Sequence, residues 1–383
     1  MVAGKTAQRI EFMHIPSQSE MAEVTRLTRR GQLRQAMALL RTGNRDTSAA
    51  SETGRPDSNG GAMPLPGDAA RSILKTVFSQ AATSAAPQAR ARKSKPARGK
   101  PVPDGAQFLA RKFSSTAGSR DYKLYVPATL PTGPVPLVVM LHGCTQSPDD
   151  FAAGTRMNEL AEEQGFLVAY PAQSKSANIQ KCWNWFSAAD QMRDRGEPSL
   201  IAGITRQIMA DHAVDAGCVY VAGLSAGGAA AAIMGAVYPD LYAAVGVHSG
   251  LACGAARDMT SAFSAMQGGG VPTVPVSGEI VPTIVFHGDG DKTVHPLNAD
   301  QVIAQAGAGN DLGTTNEYGR SDGNVAYQRT VHRDANGRTV LENWTIKGAG
   351  HAWSGGDSAG SYTDPNGPDA SREMLRFFFA QSA

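Results

Sequence analysis

Gly223-Leu224-Ser225-Ala226-Gly227 stands between an apolar run, Val219-Tyr220-Val221-Ala222, and a run of small residues from Gly228 to Ala236. The first run reads as a buried strand, the second as a helix packed closely on a sheet. A serine in a sharp turn between strand and helix is the setting of a nucleophile elbow, where a strained backbone lifts the hydroxyl above the sheet edge. Glycines at 223 and 227 suit such a turn, because larger side chains would collide with neighbouring backbone. The pentapeptide alone is a weak signal, so the reading depends on finding its chemical partners elsewhere in the chain.

Working outward, strands and helices alternate. Ala106 to Phe113 and Tyr122 to Val126 read as an antiparallel pair about a turn at Ala117-Gly118. Pro136 to Leu141 is a continuous apolar strand suited to burial on both faces, and Phe166 to Tyr170, Tyr242 to His248, Thr283 to His287 and Val340 to Ile346 read as further strands. Asp149 or Asp150 is placed to cap a helix running to about Glu162. Leu200 to Val214 and Arg372 to Gln381 read as further helices, and Val325 to Arg333 pairs with Arg338 to Ile346 across Asp334-Ala335-Asn336-Gly337. This pattern predicts an α/β fold whose mostly parallel central sheet is flanked by helices.

Three regions follow from composition along the 383 residues: a helical hairpin in 1–43, a basic linker rich in Pro, Gly, Ser and Ala in 44–105, and the α/β domain in 106–383. The hairpin reading rests on Ser17 and Glu20 at capping-box spacing and on Met21, Val24, Leu27, then Leu33, Met37 and Leu40. The linker lacks periodicity and reads as largely disordered. Charge divides the same way. Residues 1–105 hold 17 Lys+Arg against 8 Asp+Glu, a surplus of nine, while the remainder holds 19 against 26, a deficit of seven. The basic tail is read as a solvated segment or as a contact for a granule surface or a protein partner. Arg90 to Lys100 has six basic residues without interleaved aromatics, so no nucleic-acid partner is expected. No transmembrane run and no apolar signal region are visible, which favours a cytoplasmic or granule-associated protein.

A serine nucleophile of this kind needs an acid and a base in the chain order Ser, Asp, His. His295, His332 and His351 follow Ser225 and a plausible acid. His332 falls within an alternating strand and reads as structural, and His295 shares its loop with the acid candidates. His351 lies in Gly348-Ala349-Gly350-His351-Ala352-Trp353, a glycine-rich loop directly after a strand, and is read as the base. In His287-Gly288-Asp289-Gly290-Asp291 the preferred acid is Asp291, with Asp289 as alternative or as an Asx turn. Two amides must face the developing oxyanion. The Ala226 N–H is one. The other is expected in Leu141-His142-Gly143-Cys144-Thr145-Gln146, from Cys144 or, one residue on, from Thr145. Trp183, Trp185 and Trp353 stand near these loops and read either as core or as an apolar cleft that binds substrate. Cys218 and Cys253 fall at opposite sheet ends, which leaves Cys144 and Cys182 as the one plausible disulfide. No metal-ligand spacing and no phosphate loop are present, and no cofactor is expected.

With the 141–146 and 223–227 segments, Cys182-Trp183-Asn184-Trp185-Phe186 and Gly350-His351-Ala352-Trp353 assembled, residues 106–380 resemble the poly(3-hydroxybutyrate) depolymerase-type esterases. These are α/β-hydrolases similar to feruloyl and acetylxylan esterases. The resemblance implies ester hydrolysis through an acyl-serine, with Ser225, Asp291 and His351 as triad, and hydroxyalkanoate esters, oligomeric or polymeric, are the expected substrate. A feruloyl or acetylxylan esterase is the alternative, and a non-catalytic binding protein of hydrolase fold a third reading.

Overall fold

The computed structural model describes residues 101–272 and 280–381. The expected N-terminal hairpin and nearly all of the linker lie outside the described residues.

The strands are β1 (Gln107–Ser115), β2 (Gly118–Val126), β3 (Val135–Leu141), β4 (Leu167–Pro171), β5 (Val214–Leu224), β6 (Ala244–His248), β7 (Thr283–Gly288), β8 (Gly313–Arg320), β9 (Ala326–Arg333) and β10 (Thr339–Ile346). They form one sheet in the order β1-β2-β4-β3-β5-β6-β7-β10-β9-β8. The six strands from β4 to β10 in that order are parallel, and antiparallel strands close both edges. A short parallel pair, β11 (Trp353–Ser354) with β12 (Thr363–Asp364), stands apart from this sheet.

Period-two alternation sorts the strand residues to two cores. Leu137, Val139 and Leu141 face one side, which is covered by α3 (Gly196–Asp211), α4 (Ala226–Val237), α5 (Met259–Gly268) and α6 (Leu297–Ala306). Val138 and Met140 face the other, covered by α1 (Pro148–Thr155), α2 (Met157–Gln164) and α7 (Ala370–Phe379). Both faces being buried explains why the central strands are continuous apolar runs.

Three expectations need correction. The helix expected from Asp149 or Asp150 to Glu162 is two helices. Ser147 is the N-cap, its hydroxyl accepting the Asp150 N–H at 3.3 Å, and Arg156 breaks the run in a left-handed conformation, φ 58°. Helix α3 begins earlier than expected, at Gly196, and ends at Asp211, because Val214 already belongs to β5. Strand β8 was not anticipated. Its sequence, GTTNEYGR, has no apolar alternation, because nearly every residue on this edge strand is exposed.

Candidate active site

Parallel strands deliver their C-terminal ends to one side of the sheet, and the candidate residues gather there. Ser225 follows β5 directly and caps α4, with φ 59° and ψ −120°. That backbone region costs a non-glycine residue about 1–3 kcal/mol and persists only where its surroundings impose it. The surroundings do so. The Ser225 N–H donates to the His248 carbonyl at 2.9 Å. A Cβ at Gly223 would sit 2.3 Å from the Gly227 carbonyl oxygen, and one at Gly227 would sit 2.0 Å from that of Leu141. The turn therefore closes against β3 only with glycine at both places.

Asp291 stands in the loop after β7, with its side chain wholly buried. Its Oδ1 accepts the N–H groups of Thr293 at 2.8 Å and Val294 at 2.9 Å. Its Oδ2 lies 2.7 Å from His351 Nδ1 and 3.4 Å from His287 Nε2. Burial pushes this carboxyl up, but the two imidazoles outweigh it and hold Asp291 well below the usual carboxylate range. An ionised carboxylate only accepts, so His351 Nδ1 carries hydrogen and Nε2 is left as the acceptor.

The other candidates fall elsewhere. Asp289 accepts the Gly348 N–H at 2.6 Å and pairs with Lys347 at 3.3 Å. It braces the His351 loop against the Asp291 loop instead of making the Asx turn considered for it. His295 accepts the Leu297 N–H at 3.2 Å, and His332 faces Thr314 on the sheet edge. Of the three histidine candidates, His351 is the one that touches Asp291.

The loop after β3 runs beside the serine: a Cβ at Gly143 would lie 3.7 Å from Ser225 Cβ. The Thr145 N–H donates to the Gln180 carbonyl at 2.6 Å and is thereby occupied. The Gly143 carbonyl is held by His142 Nδ1 at 2.7 Å and by the Gln146 N–H at 3.3 Å. In a trans peptide the Cys144 N–H points opposite to that carbonyl, so its direction is fixed as well. His142 accepts the Gln173 N–H on Nε2 at 3.0 Å, and burial pulls its pKa down to about 4, so the ring stays neutral. Cys144 is disulfide-bonded to Cys182, while Cys218 and Cys253 are free.

Behind this loop lies a buried polar cluster. Glu197 accepts the Asn184 N–H at 2.7 Å and Asn184 Nδ2 at 2.9 Å, and it lies 3.6 Å from Arg120. Gln173 joins Arg120 and Glu197 and donates to the Cys182 carbonyl at 2.8 Å. His248, at the end of β6, is a further structural member. Its carbonyl holds Ser225, and its Nε2 accepts the Ser354 N–H at 3.0 Å, three residues beyond His351. Burial lowers its pKa to about 3. Position at a strand end next to the elbow strand was the available signal for His248. Glu197 and Gln173 carry no local motif.

The tryptophans do not form an exposed cleft. Trp183, Trp185 and Trp353 are 0%, 6% and 1% exposed. Trp183 donates its indole N–H to the His142 carbonyl at 3.0 Å, and Trp353 donates to Ser371 at 3.0 Å and packs on His248. A cavity of about 10 Å³ beside Trp183 and Trp185 is too small for a substrate group. Their role here is to support the loops from beneath. Among the described residues no group of three His, Cys, Asp or Glu is placed to hold a metal ion, and no helix is long and apolar enough to cross a membrane.

The elbow, the Asp–His pair at neighbouring strand ends and the sheet order define an α/β-hydrolase fold. Solved structures agree: an acetyl xylan esterase from Aspergillus awamori superimposes with a TM-score of 0.57 over 72% of this chain and 99% of its own, at 23% identity. The chain belongs to the family described as Esterase PHB depolymerase, which matches residues 120–320 and so includes Ser225 and Asp291. It is similar to poly(3-hydroxyalkanoate) depolymerase C of Paucimonas lemoignei, 34% identical over 62% of this chain and 60% of that protein. It is also similar to feruloyl esterase B of Neurospora crassa, 29% identical over 66% of this chain and 86% of that protein. The chain spans about 60% of the length of the depolymerase and of a probable acetylxylan esterase A of Neosartorya fischeri, which is 30% identical.

Proposed function

We propose that this chain hydrolyses carboxylic esters through an acyl-serine. The observation that carries the proposal is the 2.7 Å contact between Asp291 Oδ2 and His351 Nδ1, on the loops after β7 and β10, at the same sheet end as the strained Ser225 turn. Ser225 Oγ attacks the ester carbonyl and passes its proton to His351 Nε2, while Asp291 holds the imidazolium. The amides of Ala226 and Cys144 receive the oxyanion. Collapse expels the alcohol with the proton from His351. Water, deprotonated by the same imidazole, then releases the acid and restores the serine.

The substrate class we favour is hydroxyalkanoate esters: oligomers or amorphous polymer. Family membership and the likeness to the Paucimonas depolymerase support it. The Neurospora relative, which this chain spans more fully, supports a second reading as a feruloyl or acetyl esterase on plant polysaccharide. The basic surplus within residues 1–105 is proposed to contact a polymer granule or a protein partner, and unchanged granule association after deleting those residues would contradict that.

Wild type and Ser225→Ala are compared on hydroxybutyrate oligomers, amorphous polyhydroxybutyrate, methyl ferulate and acetylated xylan. Release of hydroxybutyrate by wild type alone supports the favoured class. Release of ferulate or acetate alone supports the second reading, and equal rates from Ser225→Ala would sink the mechanism.

A further inference from the structure

Two non-glycine residues with left-handed backbones meet where the loop after β3 faces the segment between β11 and β12. Thr145 has φ 68° and Tyr362 has φ 54°. Such values are uncommon for any side chain and rarer still for a β-branched or bulky one. Thr145 is the residue after Cys144. Tyr362 reaches the other side: its carbonyl accepts the Trp353 N–H at 2.7 Å, two residues beyond His351. Its ring thus stems from the His351 side, and its hydroxyl lies 3.4 Å from Thr145 Oγ1 on the oxyanion loop.

Both conformations are imposed by their neighbours. The Thr145 N–H is tied to Gln180, and Ser361, just before Tyr362, is clamped by Gln146 at 3.0 Å and by Asp150 at 3.0 Å. Gly360 is pressed on helix α1, where a Cβ would come within 2.4 Å of Gly154 Cα. The segment is held down and the tyrosine is turned out, 38% exposed, in contrast to the three buried tryptophans. Backbones of this kind, held by a rigid surround, cluster at active sites and ligand clamps.

The hydroxyl pair is open. At 3.4 Å it is well beyond the usual 2.7–2.8 Å for two hydroxyls, so a third oxygen can bond to either. We propose that Tyr362 and Thr145 contact the acyl part of the substrate and recognise a hydroxyl or ester oxygen two carbons from the scissile carbonyl, as in a 3-hydroxyacyl ester. Thr145 directly follows Cys144, whose amide is proposed above to receive the carbonyl oxygen, and consecutive Cα atoms are about 3.8 Å apart. The proposal deepens the ester-hydrolase reading and rests on it.

The test is the ratio of kcat/KM for p-nitrophenyl 3-hydroxybutyrate to that for p-nitrophenyl butyrate, in wild type, Tyr362→Phe and Thr145→Val. A misfolded fraction lowers both rates alike and cancels in the ratio. We expect wild type to favour the hydroxy ester, and each variant to reduce the ratio about fivefold to tenfold through loss of one hydrogen bond. A wild-type ratio near unity, or a ratio preserved in both variants whatever the absolute rates, overturns the proposal. Neither result touches the nucleophile assignment, which fails separately if Ser225→Ala still turns over either ester.

Discussion

The two sides of the site are held in place by different physics. The side proposed to receive the oxyanion, after β3 and β4, is fastened by the Cys144–Cys182 disulfide and by buried Arg120, Gln173 and Glu197 together with half-buried Asn184. The side of the proposed acid and base, after β7 and β10, has no covalent tie among the described residues. It is held by hydrogen bonds that converge on two carboxylates: His351 and two amides on Asp291, Gly348 on Asp289. The difference suits the tasks proposed for each side. Oxyanion donors act through fixed dipoles and gain from immobility. A base must accept a proton and give it back, and an imidazole anchored only at Nδ1 keeps Nε2 free to do so.

Altering each side separately should therefore give different signatures. The largest effect is expected on the acid–base side. Asp291→Asn replaces an acceptor of the Nδ1 proton with an amide and should lower kcat by about 10³–10⁴. Steady-state kinetics on a short p-nitrophenyl ester measures it, and a loss below tenfold would break the comparison. Replacing Cys144 and Cys182 together by serine should act on stability first. Releasing a bridge that spans 38 residues costs up to about 4 kcal/mol in the chain-entropy model. Urea denaturation reads this, and an unchanged midpoint would mean that the polar cluster alone fastens the loop.

Glu197→Gln should be milder, at about 1–3 kcal/mol, because one carboxylate acceptor becomes a donor facing the Asn184 and Gln173 donors. The same urea experiment applies, and a stabilised variant would contradict the brace. The smallest expected effect is the pH dependence of stability. Asp291 is depressed in the folded state, so its contribution is complete above its unfolded pKa near 4 and is lost as pH falls through that value toward the folded one. Asp291→Asn should flatten the acid limb of stability against pH. An acid limb of equal steepness in the variant would show that other carboxylates dominate it.

The sheet's centre could be read from the residues because its strands are buried on both faces and are mostly apolar. The elbow was readable because its glycines are sterically required, and His351 because it follows a strand in a glycine-rich loop. Other features left weaker traces. Strand β8 is polar, as an exposed edge can be, and so resembles a loop in sequence. The break at Arg156 lies in the sign of one φ angle, which an arginine does not announce. The same applies to Tyr362. The tryptophans allowed two readings, because aromatic residues beside a site line its mouth or support it from beneath, and only packing separates the two. Here all three support.

Everything proposed for this site depends on Ser225 being the nucleophile. Incubation with a fluorophosphonate, followed by peptide mapping by mass spectrometry, tests it directly. One stoichiometric adduct is expected on the peptide carrying Ser225, absent in Ser225→Ala and strongly slowed in His351→Ala. An adduct on another residue, or undiminished labelling of Ser225→Ala, would contradict it.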